Sequence, residues 1–196
     1  MMENLINEYR QAALPEGYGQ VELDMGCGRG GFTRELAERF PQRLVVATDV
    51  MMGRLRIVEA RLKRAKLNNV CVLRAEHGAL AEFQLPRASI DRIHLLCPDP
   101  WPKDLPKKAR RIASTAFFCL LPQVLKEGGV FHFASDDAPY FEDVCCVTRT
   151  LPFFREDAEA LSDIRDIKTD FERQWEAEGK VVRHLSMRYH TINQRG

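Results

Sequence analysis

The sequence predicts an α/β protein built on a doubly wound, mostly parallel sheet with helices on both faces. Three observations predict it. Short apolar runs alternate with segments of helical period along most of the chain. One of them, Leu44 to Thr48 (LVVAT), is a continuous run of the kind expected from a parallel strand covered on both faces. Acidic residues fall at or just past the ends of strands one to five, where such sheets bind ligands.

The elements follow in order. Gln20 to Met25 reads as a strand ending in a glycine-rich turn, and Phe32 to Phe40 as a helix stopped by Pro41. Leu44 to Thr48 is the second strand, closed by Asp49, and Met52 to Lys66 is a long basic helix. Val70 to Leu73 is the third strand. Asp91 to Leu96 is the fourth, announced by the turn-prone Arg87-Ala88-Ser89. Thr115 to Leu125 reads as a helix closing at Gly128-Gly129, a helix-stop signal. Val130 to Ala134 is the fifth strand, Tyr140 to Arg149 a helix, and Val181 to His190 a late strand with alternating side chains. No repeat, low-complexity segment or long linker interrupts the 196 residues, so residues 1–196 are expected to form a single domain.

Composition narrows the class. Apolar content of 45% and charged content of 29% are ordinary for a soluble globular protein. No apolar run approaches the roughly 20 residues that span a bilayer. Met1 to Arg10 carries Glu3, Glu8 and Arg10 and lacks a signal-peptide core, so a cytoplasmic protein is expected. None of the six cysteines forms a CxxC pair, which argues against a zinc or redox motif, and no metal is expected. A net charge of +1 gives no global argument for nucleic acid, but two local clusters do point to a polyanion. Arg54, Arg56, Arg61, Lys63, Arg64 and Lys66 face only Glu59, and Lys103, Lys107, Lys108, Arg110 and Arg111 face only Asp104. Each cluster is also compatible with a solvated helix face.

The glycine turn satisfies two templates. Gly26, Gly28 and Gly31 fit GxGxxG, with Asp49 at the spacing of a ribose-binding acid in a dinucleotide fold. Asp24, Gly26, Gly28 and Gly30 fit acid-x-Gly-x-Gly-x-Gly, which resembles the first motif of the class I S-adenosylmethionine methyltransferases. The chemistry favours the second. A dinucleotide brings a pyrophosphate, which a nearby anion repels. S-adenosylmethionine carries a sulfonium and an ammonium, which Asp24 would attract. Asp49 would accept from ribose hydroxyls under either reading, and Glu76 would lie near the adenine.

Strand four delivers Cys97-Pro98-Asp99-Pro100-Trp101-Pro102-Lys103. Prolines on both sides restrict the backbone of Asp99. A fixed carboxylate, an indole face and nearby cations are what a pocket for a flipped purine requires. This segment resembles the signature of the tRNA (guanine-N7)-methyltransferase family. Lys107-Lys108-Ala109-Arg110-Arg111-Ile112, Phe131 to Asp136 with Pro139-Tyr140, and Lys168-Thr169-Asp170-Phe171-Glu172 resemble further family segments, in family order.

The resemblance implies a Rossmann-like class I methyltransferase fold, S-adenosylmethionine as cofactor and tRNA as partner. It places Asp24, Gly26, Gly28, Gly30, Asp49, Glu76 and Asp99 around the cofactor. Asp99 stands at the junction of methyl donor and base, and Lys103, Asp136, Thr169, Asp170, Phe171 and Glu172 contact the substrate. The chain departs from the family in having aspartate at the first two cofactor acids and glutamate at position 76. The basic run has an extra residue and lacks a histidine, and the spacing after Glu172 is longer. These departures touch the substrate side most and leave a methyltransferase for another RNA as the alternative. A nicotinamide-dependent oxidoreductase would explain Gly26 to Asp49 but not Asp99-Pro100-Trp101. A non-catalytic RNA-binding module has no need of the strand-end acids. Monomer and homodimer both remain open.

Overall fold

The computed structural model describes residues 12–100 and 112–192. Its centre is a sheet of seven strands: β1 (Gln20–Met25), β2 (Arg43–Asp49), β3 (Val70–Arg74), β4 (Ile90–Leu96), β5 (Leu125–Ser135), β6 (Phe154–Glu156) and β7 (Arg183–Tyr189). Their spatial order is β3-β2-β1-β4-β5-β7-β6. Pairings from β3 to β5 are parallel, and β7 runs antiparallel to both β5 and β6. The order reverses between β1 and β4, and sheets of this kind bind ligands beyond the carboxyl ends of the strands at such a reversal. The expected doubly wound, mostly parallel sheet is what forms.

Among the described residues the longer helices that accompany it are α1 (Gly31–Arg39), α2 (Met52–Ala65), α3 (Thr115–Val124), α4 (Ala138–Thr150) and α5 (Asp170–Ala177). Helices pack on both faces because the strand side chains alternate between two apolar sets. Leu23, Met25, Leu95, Phe131 and Phe133 lie in one core with Phe118, Leu121 and Val144 of α3 and α4. On the opposite face Val45 and Ala134 join Phe32 and Leu36 of α1, and Ala47 joins Leu55, Val58 and Leu62 of α2. Asn69 clamps the α1–β2 turn, its amide nitrogen donating to the carbonyls of Ala37, Phe40 and Arg43 at 3.0–3.2 Å.

Several elements differ from expectation. Helix α3 ends at Val124, and the chain enters β5 at once, Leu125 pairing with Ile90. Gly128 and Gly129 therefore do not stop a helix. They lie inside β5, where the pairing shifts register between Ile90 and Arg92. The φ of +76° at Gly128 marks the bulge, and burial of Leu125 commits the chain to the sheet before the glycines are reached. Strand β6 is too short to leave a pattern. Helix α5 announces itself only by its ends: Thr169 and Glu172 form a capping box, each side chain accepting from the other's backbone N–H. A short helical turn (His77–Ala79) and a π-helical segment (Leu80–Gln84) fill the stretch between β3 and β4.

Candidate active site

The site grows from the end of β1. There the chain turns through Gly26 to Gly31, and the N–H groups of Gly26 and Cys27 both donate to the Thr48 carbonyl at 2.9 and 2.7 Å. Two positions explain why glycine is needed. Gly30 adopts φ +77° as the N-cap of α1, and a Cβ there would stand 2.9 Å from Cγ2 of Val58. At Gly31 a Cβ would overlap the Asp170 carboxylate, whose Cγ lies 2.7 Å from that point. The loop is thus pressed against α2 on one side and the start of α5 on the other.

Two buried carboxylates flank the loop. Asp24 accepts from the Thr33 hydroxyl, and burial pushes its carboxyl up to about 6 against the opposing effect of that bond, with Asp49 adding repulsion. Asp49, equally buried at the end of β2, accepts from the Met51 N–H at 2.8 Å and pairs with Arg54 at 3.4 Å. Glu76 lies past β3 and is exposed; its carboxylate accepts from the Ala79 N–H at 3.0 Å, capping the helical turn.

The residues expected on the substrate side come from three elements. Asp99 is exposed just past β4. The turn before it is held by Cys97, whose φ is +52° and whose N–H donates to the Ala134 carbonyl at 2.8 Å. Burial pushes the Cys97 thiol up to about 12, with Glu172 and Asp136 adding to the rise and a hydrogen bond to Thr169 opposing it. Cys97 thereby reports that Thr169, Glu172 and Asp136 all lie close to the end of β4. Asp136 is half-buried past β5. Asp170 pairs with Arg61 at 3.3 Å, and Phe171 is 48% exposed and stacks on Trp175 at 5.5 Å. Glu172 is 2% exposed. Burial alone would raise its carboxyl, but the bonds from His184 and Thr169 outweigh burial and hold it below the usual range. Lys103, Trp101 and the basic run from Lys107 to Arg111 fall outside the described residues.

Two contributors carried no recognisable signal. His77 leans on the loop, its Nε2 3.4 Å from where a Cβ of Gly26 would stand. Burial lowers its imidazole below the usual range, against the pull of Glu76 and Asp49. Arg61, which reads as one cation of a basic helix, donates to the Arg29 carbonyl at 2.8 Å and ties α2 to the loop. Of that basic cluster Arg54 and Arg61 are engaged at the site, whereas Arg56, Lys63, Arg64 and Lys66 are exposed. Among the described residues no group of His, Cys, Asp and Glu side chains is arranged to hold a metal ion, and no helix is long and apolar enough to cross a membrane.

The buried acids and the tight glycine cradle fit an adenosine-bearing cation: Asp49 has the place and chemistry to accept from a ribose, and Asp24 offers negative charge beside the loop. Comparison with known proteins agrees. A tRNA (guanine-N(7)-)-methyltransferase of Thermotoga maritima is 29% identical over 82% of this chain and 51% of its own length. One from Syntrophotalea carbinolica is 36% identical over 70% of this chain and 59% of its own length. The chain thus spans little more than half of these relatives. Among solved structures, the 16S rRNA methyltransferase KamB superposes with a TM-score of 0.62 at 22% identity, covering 89% of this chain and 90% of its own, a likeness of fold. The family model described as "Putative methyltransferase" matches residues 19–185, and the chain belongs to this Methyltransf_4 family of methyltransferases.

Proposed function

We propose that this chain acts in the cytoplasm as a single domain, transferring the methyl group of S-adenosylmethionine to N7 of a guanine in tRNA and forming 7-methylguanosine. One observation carries the reading. The segment Thr169–Glu172, distant in sequence, meets the cofactor loop through Asp170 and Gly31 and meets the end of β4 through Thr169 and Cys97. This contact supports a reading in which the motifs assigned to cofactor and to substrate serve one site, at the strand-order reversal where α/β sheets bind ligands.

S-adenosylmethionine supplies an electrophilic methyl on a sulfonium. Gly26, Gly28 and Gly30 let the backbone approach the cofactor, Asp49 would accept from the ribose hydroxyls, and Asp24 would favour the cationic end. Glu76 would lie near the adenine. Guanine N7 has a free lone pair and no proton to lose, so the reaction needs alignment rather than a strong base or a metal. Asp99, held between two prolines and exposed, would orient the base and favour the positive charge it gains. Asp136 and Lys103 would contact the RNA. Phe171, stacked on Trp175 beneath Lys180, offers an aromatic face. Thr169, Asp170 and Glu172 have their polar atoms engaged within the protein, which makes them the scaffold of the substrate side.

Incubation with labelled S-adenosylmethionine and unmodified tRNA, followed by nucleoside analysis, tests the reading. Recovery of 7-methylguanosine, reduced by about 100-fold or more in Asp99→Ala, is the expected result. Loss of only a few-fold removes Asp99 from that role. Transfer to ribosomal RNA fragments alone moves the substrate to another RNA. Binding of NADH without binding of S-adenosylhomocysteine overturns the methyltransferase reading of the loop.

A further inference from the structure

Five titratable side chains form an unbroken chain of contacts on the α1 face of the sheet. Oε2 of Glu22 lies 2.8 Å from Nε2 of His94, and Nδ1 of His94 lies 3.0 Å from Nδ1 of His132. Nε2 of His132 lies 3.0 Å from Nδ1 of His184, and Nε2 of His184 lies 3.0 Å from Oε1 of Glu172. The chain crosses β1, β4, β5 and β7, which are consecutive neighbours in the sheet, and ends in the cap of α5. Glu22 and His94 are fully buried, His132 is 5% exposed, and only the His184 side chain, 43% exposed, meets solvent.

Counting protons gives the chain its property. Each of the four gaps needs one proton. Two ionised carboxylates supply none, and three neutral imidazoles supply three. A fully bonded chain with both carboxylates ionised therefore holds one proton more than its neutral rings provide. His132 bridges the other two rings and has no carboxylate partner in the chain, and burial with His94, His184 and Arg92 nearby pushes it well below the usual imidazole range, so it is the ring that stays neutral. Passing the fourth proton from the Glu22 end to the Glu172 end reverses the tautomer of His132 without displacing a heavy atom. Losing it sets two lone pairs face to face in a buried place, which is costly.

We propose that Glu22, His94, His132 and His184 form a proton-storing positioning relay for Glu172, which keeps the cap segment Thr169–Glu172 docked on the glycine loop while the fourth proton is held. The other charges facing the relay are fixed by the fold. Arg43 donates to Glu22 at 2.7 Å, Arg92 stands 3.8 Å from it, and both arginines also bind Asp163. Asp24 faces His94, and the Phe32 ring of α1 covers it at 5.0 Å. Glu156 and Arg165 border the cavity beside His132 and His184, and the Cys97 thiol faces Glu172. The relay does not depend on which cofactor or RNA the site takes, and its readout is independent of activity.

The test is amide hydrogen exchange by NMR on the full chain from pH 6 to pH 9, with intrinsic rates divided out. The reporters are the Thr169 and Glu172 amides, which close the capping box. Protection in the wild type should fall by about tenfold as the fourth proton leaves, the factor expected for one buried hydrogen bond. In Glu22→Gln the new amide donates to His94 and supplies that proton, while its oxygen still accepts from Arg43, so protection should be independent of pH. An equal pH dependence in both proteins, or none in the wild type, overturns the relay. Should Glu22→Gln fail to fold, imidazole 15N shifts of the wild type decide. One charged ring among the three, with His132 neutral, supports the relay; three neutral rings while the cap amides remain protected refute it.

Discussion

Gly30→Ala isolates what the glycine loop demands. The new Cβ meets two penalties that separate cleanly. A non-glycine residue at φ +77° costs about 1–2 kcal/mol. Standing 2.9 and 3.1 Å from the two methyls of Val58, which is 1% exposed and cannot swing away, it adds an overpacking cost of about 1–3 kcal/mol. The sum of about 2–5 kcal/mol is a large share of a typical domain stability of about 5–15 kcal/mol. Urea unfolding of four proteins separates the parts: wild type, Gly30→Ala, Val58→Ala and the double variant. Removing the valine methyls should lift the overpacking but not the backbone strain, leaving a coupling of about 1–3 kcal/mol between the two sites. Additive effects within about 0.5 kcal/mol would show that α2 does not press on the loop, and the cradle as described would be wrong.

Other outcomes follow from the same geometry. Asp24 sits near 6 in the folded chain against 3.8 for the free side chain, so the folded state binds the extra proton and loses stability as pH rises from about 4 to 6. The ionised acid then costs about 3 kcal/mol at neutral pH, and Asp24→Asn should stabilise the ligand-free protein by up to that amount and flatten its pH dependence in thermal melts. The same variant should weaken S-adenosylhomocysteine binding in calorimetry; unchanged stability together with unchanged affinity would refute both roles. Asn69→Ala should cost about 2–4 kcal/mol in denaturant unfolding, because it strips the donor from three carbonyls in the α1–β2 turn. A loss below about 0.5 kcal/mol would mean water replaces the amide.

Much of this protein is written locally. The apolar run Leu44 to Thr48, the glycine turn after Gln20 to Met25 and the acids past each strand are short-range patterns, so the fold class and the position of the candidate site in it were legible from residues alone. The glycine pair after α3 misled because a helix stop and a strand bulge use the same backbone freedom, and only pairing of Leu125 with Ile90 chooses between them. Thr169 and Glu172 carried a motif but not their partners: a T-x-x-E box caps a helix anywhere, and nothing near it in sequence names Cys97 or His184.

Glu22, His94 and His132 were visible as single polar residues inside apolar strands, each readable as an isolated anomaly. The sequence by itself determined the alternation of strand and helix, the glycine turn after the first strand and the acids at the strand ends. It did so because period, turn chemistry and charge act between residues close along the chain. The tertiary structure alone decided that β1, β4, β5 and β7 lie side by side and that α5 closes on Gly31. Sheet order and helix docking are set by summed burial between segments that lie from tens of residues to more than a hundred apart, and no local pattern encodes that sum.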